Sequence, residues 1–190
     1  GDERFESAVP GFDGWVERRG GATRAASVRA GLAALLRQGA RPGDWVLVHD
    51  AARCLVQPAW IDRLIDACAA DDVGGLLAVP LADTLKDADG QGRSRATVDR
   101  RGKWLAQTPQ MFRLGMLIEA LDRAGETVTD EASAIEALGH SPLLVPGDAE
   151  ASVQVWDDAV FQQLRKRHDP RDTAPAVWPG GRRPTLRWYP

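Results

Sequence analysis

The sequence predicts an α/β fold with a mostly parallel sheet, helices on both faces and a protruding β-arm. Residues 45–48 and 76–80 are short apolar runs with the length and branched content of buried parallel strands. A helical pattern over residues 59–70 separates them. Strand, helix and strand at this spacing are typical of a crossover in a Rossmann-like parallel sheet.

The remaining elements follow from periodicity and from helix start and stop signals. Apolar residues at helical spacing predict a helix over residues 22–38, which ends at Gly39. Thr129 or Asp130 can cap the helix that the sequence predicts from Glu131. The other expected elements are a return strand at 104–108, a helix at 113–124, short strands at 143–145 and 152–155, and a last helix at 157–167.

The arm is predicted over residues 81–104, where the sequence pattern changes to that of a hairpin. A cluster of turn residues at 87–92 lies between two short segments that can pair as a hairpin. A two-stranded hairpin is marginal in water unless it packs against something else. We therefore expect a second subunit to support this arm.

Composition bounds the domain organisation and the partners. The 190 residues, 44% of them apolar, suffice for one core, and we predict one domain over 1–167 and a disordered Pro/Gly/Arg-rich tail over 168–190. A net charge of −3 gives no basic field for nucleic acid. The two cysteines indicate neither a disulfide framework nor a zinc site, and no segment can span a membrane. We expect a cytoplasmic protein.

The segment His49-Asp50-Ala51-Ala52-Arg53 follows the first predicted strand. Ligands of parallel α/β sheets bind where strands end. Asp50 offers the hard oxygen that Mg²⁺ prefers, and Arg53 can bind an anion or hold a neighbouring carboxylate. The same residues are equally compatible with a helix cap and a structural ion pair.

Two further groups of residues could bind a nucleotide or a phosphate. Gly20-Gly21, with Ser27 in the following helix, would let a flat ligand approach the backbone, although a turn and a helix cap explain them better. Thr84, Arg100 and Thr108 supply hydroxyl and guanidinium groups on or near the arm. Each group taken alone is weak.

Taken in order, these segments match one family pattern. From Gly21 through Val155 the chain resembles the 2-C-methyl-D-erythritol 4-phosphate cytidylyltransferases, which are of the sugar nucleotidyltransferase type. The matching segments are Gly20-Gly21 with Arg24 and Ser27-Val28, His49-Asp50-Ala51-Ala52-Arg53, Asp83-Thr84-Leu85-Lys86, Val98-Asp99-Arg100, Trp104, Thr108-Pro109-Gln110-Met111-Phe112 and Thr129-Asp130-Glu131-Ala132-Ser133.

The resemblance implies an enzyme that transfers CMP from CTP to methylerythritol phosphate and releases pyrophosphate. It implies a homodimer, in which Thr84 and Arg100 reach the site from the arm of the partner subunit. Roles follow by position: CTP binding by Gly21, Ser27, Asp50, Ala51 and Arg53; Mg²⁺ binding by Asp50; substrate positioning by Thr84, Arg100 and Thr108; and catalysis by Arg100, Asp50 and Gln154.

Two departures from the family pattern leave alternatives open. The family's glycine-rich loop lies upstream of the first residue of this chain, so the predicted domain lacks its N-terminal part. Gln154 stands where the family has a lysine, and it carries no charge. The alternatives are a catalytically silent fragment that dimerises or binds nucleotide, and a nucleotidyltransferase for another polyol phosphate.

Overall fold

The computed structural model describes Gly14, residues 16–125 and residues 128–152. Within these residues a four-stranded sheet contains β1 (Trp45–Val48), β2 (Gly74–Pro80), β5 (Trp104–Arg113) and β6 (Leu143–Pro146), and a hairpin contains β3 (Leu85–Ala88) and β4 (Ser94–Val98). The helices are α1 (Arg24–Arg37), α2 (Pro58–Cys68), α3 (Leu114–Ala124) and α4 (Glu131–Ala137), and a 3-10 turn spans Ala149–Ser152.

The order of the strands in the sheet is β1-β5-β2-β6. β2 and β6 pair in parallel, and β5 lies antiparallel between β1 and β2. β1 and β2 therefore run in the same direction, as the predicted crossover requires, with the return strand inserted between them. The α/β class with a mixed, mostly parallel sheet is confirmed.

The return strand is longer than the predicted residues 104–108 because it continues through Pro109 to Arg113. Proline cannot donate a hydrogen bond to a neighbouring strand, so it favours irregular positions in a sheet. The pairing of β2 with β5 shifts register between Leu76 and Ala78, opposite the cis peptide bond between Thr108 and Pro109. The strand thus passes the proline at a bulge rather than ending there.

Alternation along the strands gives the sheet two apolar faces. Leu76 and Phe112 pack with α1, α3 and α4, whereas Leu77 and Met111 pack with α2. Successive side chains of a strand point to opposite faces, so neighbouring residues enter different cores. Helices on both faces are confirmed, and the carboxyl end of β1 lies between the two layers.

Local capping residues fix where the helices begin. The Thr23 hydroxyl accepts a hydrogen bond from the Ala26 N–H at 3.1 Å, which starts α1. Asp130 and Ser133 form a reciprocal capping box at the start of α4, with Ser133 N–H donating to Asp130 Oδ1 at 2.9 Å. The predicted cap is therefore Asp130 rather than Thr129.

The predicted arm is present as the antiparallel pair of β3 and β4. Most of its side chains are exposed. Among the described residues its two strands pair with one another and with no strand of the main sheet. None of the described helices is long and apolar enough to cross a membrane.

Several expected elements lie outside the described residues. They are the start of the chain before Gly14, Gln154, the helix over 157–167 and the tail over 168–190. The predicted strand over 152–155 is wrong at its first residue, because Ser152 ends the 3-10 turn. The Gln107 amide holds the Ser152 hydroxyl at 2.7 Å, which fixes the turn at that point.

Candidate active site

The site is built around Asp50, which follows His49 after the buried end of β1 at Val48. A tight turn follows, in which Arg53 N–H donates to the Asp50 carbonyl at 2.9 Å. Ala51, inside this turn, is exposed. The turn therefore presents a carboxylate and accessible backbone at the carboxyl end of the strand, where ligands of such folds bind.

Two arginines hold the Asp50 carboxylate. Arg24 Nε donates to Asp50 Oδ1 at 2.9 Å, and Arg53 Nε lies 3.6 Å from Asp50 Oδ2. The Asp50 side chain is 28% exposed, so one side of the carboxylate still faces solvent. The prediction that Arg53 can hold a neighbouring carboxylate agrees with this ion pair, although Arg24 makes the closer contact.

Arg24 is itself held by Glu131, from the start of α4. Arg24 Nη1 and Nη2 donate to the two Glu131 oxygens at 2.7 Å and 2.8 Å. The Glu131 side chain is 0% exposed. We call Arg24, Asp50, Arg53 and Glu131 the Asp50 cluster; its two arginines and two carboxylates have formal charges that sum to zero.

Burial and charge act in opposite directions on the Arg24–Glu131 pair. Burial raises the pKa of Glu131 above its usual value, and the hydrogen bonds and charge of Arg24 oppose that rise. Burial alone would lower the pKa of Arg24, but Glu131 and then Asp50 raise it above its ordinary value. Arg24 therefore keeps its positive charge beside Asp50 at any physiological pH.

A buried hydroxyl fixes the backbone at Asp50. Thr108 Oγ1 accepts the Asp50 N–H at 3.1 Å and lies 3.0 Å from His49 Nδ1. On the other side of the ring, His49 Nε2 lies 3.1 Å from the Arg53 carbonyl. Burial lowers the pKa of His49, so the neutral imidazole is favoured at this position.

The 3-10 turn closes the opposite side of the cluster. Arg53 Nη1 donates to the Ala151 carbonyl at 2.9 Å. The buried Gln107 amide donates to the carbonyl of Asp148, the residue before the turn, at 2.6 Å. β5 therefore contributes twice to the site, through Gln107 at the turn and through Thr108 at Asp50.

Gly21 and Ser27 lie next to one another, as the nucleotide-binding hypothesis requires. The Gly21 N–H donates to Ser27 Oγ at 2.9 Å, and both residues remain accessible. A Cβ at Gly21 would lie 2.3 Å from Ala26 Cβ, so glycine is required for this close approach.

The residues predicted to position the substrate are separated in a single chain. Thr108 is buried beside Asp50, whereas Thr84 and Arg100 are exposed on the arm. Among the described residues, neither arm side chain forms a hydrogen bond with the Asp50 cluster. The roles of Thr84, Arg100, Thr108 and Gln154 stay predictions.

A sequence model of the 2-C-methyl-D-erythritol 4-phosphate cytidylyltransferase family, IspD, matches residues 16–157. The chain belongs to this family. The match includes every segment of the Asp50 cluster and the arm, so the predicted membership is confirmed.

Similar proteins cover different shares of this chain. A cytidylyltransferase of Bordetella petrii is 57% identical over 170 residues, covering 87% of this chain and 73% of its own length. One of Laribacter hongkongensis is 64% identical, covering 74% of this chain and 60% of its own length. A bifunctional IspD/IspF enzyme of Albidiferax ferrireducens is 68% identical over 131 residues, covering 69% and 31%. The chain thus spans under two thirds of the length of two of these relatives.

Solved IspD structures share the fold. One 4-diphosphocytidyl-2C-methyl-D-erythritol synthase superposes with a TM-score of 0.70 at 47% identity, covering 78% of this chain and 68% of its own. The cytidylyltransferase of Thermus thermophilus gives a TM-score of 0.69 at 34% identity, with 84% and 77% covered.

Reasoning from the sequence missed three contributors to this IspD site. The sequence places Arg24 only in a matching segment and Glu131 only in a matching segment and at a predicted helix start, and it assigns no role to Gln107. The available signal was charge: a glutamate that follows a helix cap and whose helix packs inward requires a cationic partner. Nothing in the spacing identified that partner as Arg24.

Proposed function

We propose that this chain transfers CMP from CTP to 2-C-methyl-D-erythritol 4-phosphate in the cytoplasm and releases pyrophosphate, as a step of non-mevalonate isoprenoid biosynthesis. One observation carries the proposal. In a chain of the IspD family, Asp50 lies at the carboxyl end of β1 with its carboxylate hydrogen-bonded by Arg24 and in a longer ion pair with Arg53. That arrangement suits a nucleotide triphosphate that brings a divalent cation.

The donor set around Asp50 fits Mg²⁺ delivered with a nucleotide. Among the described residues no group of three or more His, Cys, Asp or Glu side chains could hold a metal. Mg²⁺ in phosphate-transfer sites typically takes one or two carboxylates, with phosphates and water completing its shell. Asp50 would supply the protein oxygen, and the ion would offset the charge that develops on the α-phosphate.

The other residues predicted for the site would then bind the two substrates. Gly21, Ser27 and Ala51 would let the cytidine approach the backbone, and Arg53 would support the triphosphate. Thr84, Arg100 and Thr108 would orient the methylerythritol phosphate, whose oxygen attacks the α-phosphorus of CTP in line. A new P–O bond forms, the bond to the β-phosphate breaks and pyrophosphate leaves. Gln154 would hydrogen-bond a phosphate without adding charge.

A homodimer completes this proposal. Thr84 and Arg100 are exposed on a hairpin whose strands pair with each other, whereas Thr108 lies buried beside Asp50. An arm that reaches the site of a second subunit would bring the substrate-positioning groups together. A complete site would then contain Asp50 from one protomer and an arm from its partner.

Calorimetry of CTP binding with and without Mg²⁺, followed by pyrophosphate release with methylerythritol phosphate, tests the function. We would measure this 190-residue chain and a form extended upstream to the length of its relatives. Asp50→Asn should abolish the Mg²⁺-dependent part of CTP binding, whereas Asp66→Asn, on the exposed side of α2, should leave it unchanged.

The outcomes separate the candidate functions. Turnover of methylerythritol phosphate in either form supports the proposal. Binding of CTP by a folded dimer without turnover in either form would favour a silent nucleotide-binding protein. Turnover only with another polyol phosphate would change the assigned substrate, and Mg²⁺-dependent binding that survives Asp50→Asn would refute the metal role.

A further inference from the structure

Glu131 is a fully buried carboxylate that contacts the same arginine as Asp50. It is the first residue of α4, lies 107 positions from Arg24 in sequence, and accepts hydrogen bonds from both terminal nitrogens of that arginine. The Nε–H of the same guanidinium donates to Asp50 Oδ1 at 2.9 Å, and Nη2 lies 2.9 Å from that oxygen as well. One planar group thus joins the two carboxylates.

Because the guanidinium is planar, its contacts with Glu131 determine the direction in which its other N–H bond points. A bidentate pair fixes both the position and the plane of a guanidinium. Once the terminal nitrogens are bound to Glu131, the direction of the Arg24 Nε–H bond is set as well. Glu131 is held in turn by its neighbours, because the Gln110 amide donates to Asp130 at 2.8 Å and accepts from Ala132 N–H at 2.7 Å.

Charge supports the same conclusion. The Asp50 cluster is formally neutral with Glu131 ionised, and it would have a formal charge of +1 if Glu131 carried no charge. An excess positive charge beside Asp50 would disfavour a cation at that carboxylate. A free arginine would also leave Asp50 with a mobile partner rather than a fixed one.

We propose that Glu131 is a positioning residue that acts through Arg24, orienting the Asp50 carboxylate and balancing its charge so that Asp50 can bind the cation of a Mg²⁺–nucleotide. The ligand named here rests on the proposed function. The orientation of Asp50 does not rest on the proposed function, and this orientation can be measured without any ligand.

Glu131→Gln is the main variant, and Asp122→Asn is its matched control. Asp122 also forms a bidentate pair with an arginine of α1, because Arg29 Nε and Nη2 donate to its two oxygens at 2.6 Å and 2.9 Å, but this pair lies on the exposed surface. Both variants remove one negative charge and one carboxylate that α1 contacts. An effect of net charge or of the docking of α1 would therefore appear in both.

Two measurements are made on each folded variant. Side-chain ¹⁵N NMR follows solvent exchange of the Arg24 Nε–H, which reports its bond to Asp50 without ligand. Calorimetry gives the Kd for Mg²⁺–CTP. In Glu131→Gln we expect Arg24 Nε–H exchange to accelerate at least about tenfold and the Kd to rise roughly 10-fold to 100-fold, the range for groups that orient a metal ligand. Asp122→Asn should leave both unchanged.

Glu131→Asp keeps the charge but shortens the reach by one methylene group, and its values should lie between those of wild type and Glu131→Gln. If Glu131→Gln does not fold, the same two measurements on Glu131→Asp decide. Unchanged Arg24 exchange in a folded variant would overturn the proposal, as would faster exchange with an unchanged Kd. If wild type does not bind Mg²⁺–CTP, the proposed function fails, while the exchange measurement still supports or overturns the positioning of Asp50.

Discussion

The Asp50 cluster and the arm, two regions with assigned functional residues, are held in opposite ways. Around Asp50, Glu131 and Thr108 are almost fully buried and each contacts groups from distant parts of the sequence. On the arm, Thr84 and Arg100 are exposed, and the hairpin pairs only with itself among the described residues.

The difference shows which half of the proposed site the chain can organise alone. A buried hydroxyl or charge keeps its hydrogen-bond partners because losing them is costly. The cost is about 1–3 kcal/mol for a neutral group and more for an ion. Exposed arm side chains have no such constraint. Substitutions near Asp50 should therefore change stability together with binding, whereas substitutions on the arm should change turnover alone.

The largest effect is expected at Arg100. Arg100→Ala should lower kcat/KM by about a hundredfold or more, ~2.7 kcal/mol, because a guanidinium that orients the attacking phosphate is lost. The melting temperature should stay the same, since the side chain is exposed. Steady-state assays of pyrophosphate release measure kcat/KM, and a thermal melt measures the melting temperature.

Arg101→Ala is the control, because Arg101 is the next residue, is 90% exposed and pairs with Asp99. It removes the same charge from the same arm and should leave kcat/KM within about twofold. A loss below about tenfold in Arg100→Ala, ~1.4 kcal/mol, would remove the positioning role. Equal losses in both variants would indicate a general charge effect.

Next in size is the close approach at Gly21. Gly21→Ala would place a Cβ 2.3 Å from Ala26 Cβ and 2.8 Å from the Ala26 carbonyl carbon, which forces the loop before α1 to move. We expect a loss of about 1–3 kcal/mol in stability and a weaker affinity for CTP. Urea unfolding and calorimetry measure both.

Gly20→Ala tests the specificity of that effect, because a Cβ there would meet Ser27 Oγ at 3.5 Å, an ordinary contact. It should be nearly neutral for stability and for CTP binding. Should Gly20→Ala prove as damaging as Gly21→Ala, the loop would be sensitive to any side chain, and the steric argument would fail.

A smaller effect is expected at Thr108. Thr108→Val keeps the shape but removes the oxygen that accepts the Asp50 N–H, which should cost about 1–2 kcal/mol of stability. Thr108→Ser keeps the hydroxyl and should recover most of that loss in urea titrations. If the valine variant is as stable as wild type, Thr108 does not fix the Asp50 backbone.

The smallest effect concerns His49 and pH. Burial depresses its pKa below the ordinary 6.5, so the unfolded chain takes up a proton before the folded chain does. The resulting stability is fully present above about pH 6.5 and is lost as the pH falls from there to the folded pKa. His49→Asn should flatten this part of the stability profile, measured by urea unfolding between about pH 7.5 and pH 5.

His140→Asn serves as the control, because that histidine is exposed. It should leave the profile as it is in wild type. A wild-type profile that does not fall with acid in this interval would contradict the assignment, and so would an unchanged slope in His49→Asn.

Sequence reasoning predicted the local features and missed the long-range ones. The apolar run before His49, the cap at Asp130 and the turn cluster of the arm are local signals, and the structure confirms all three. The antiparallel placement of β5 could not be predicted, because an apolar run carries no information about strand direction. The Arg24–Glu131 pair was missed for the same reason, since charge type does not specify a partner 107 residues away.

The two bidentate arginines of α1 also differ in how they respond to salt. The Debye length is about 10 Å at 0.1 M and about 3 Å at 1 M ionic strength, and this screening weakens exposed charge pairs far more than buried ones. The two arginines are equally exposed, 36% for Arg24 and 35% for Arg29, but Asp122 is 53% exposed whereas Glu131 is 0% exposed. Concentrated salt should therefore weaken the attachment of α1 to α3 at Asp122 more than its attachment to α4 at Glu131.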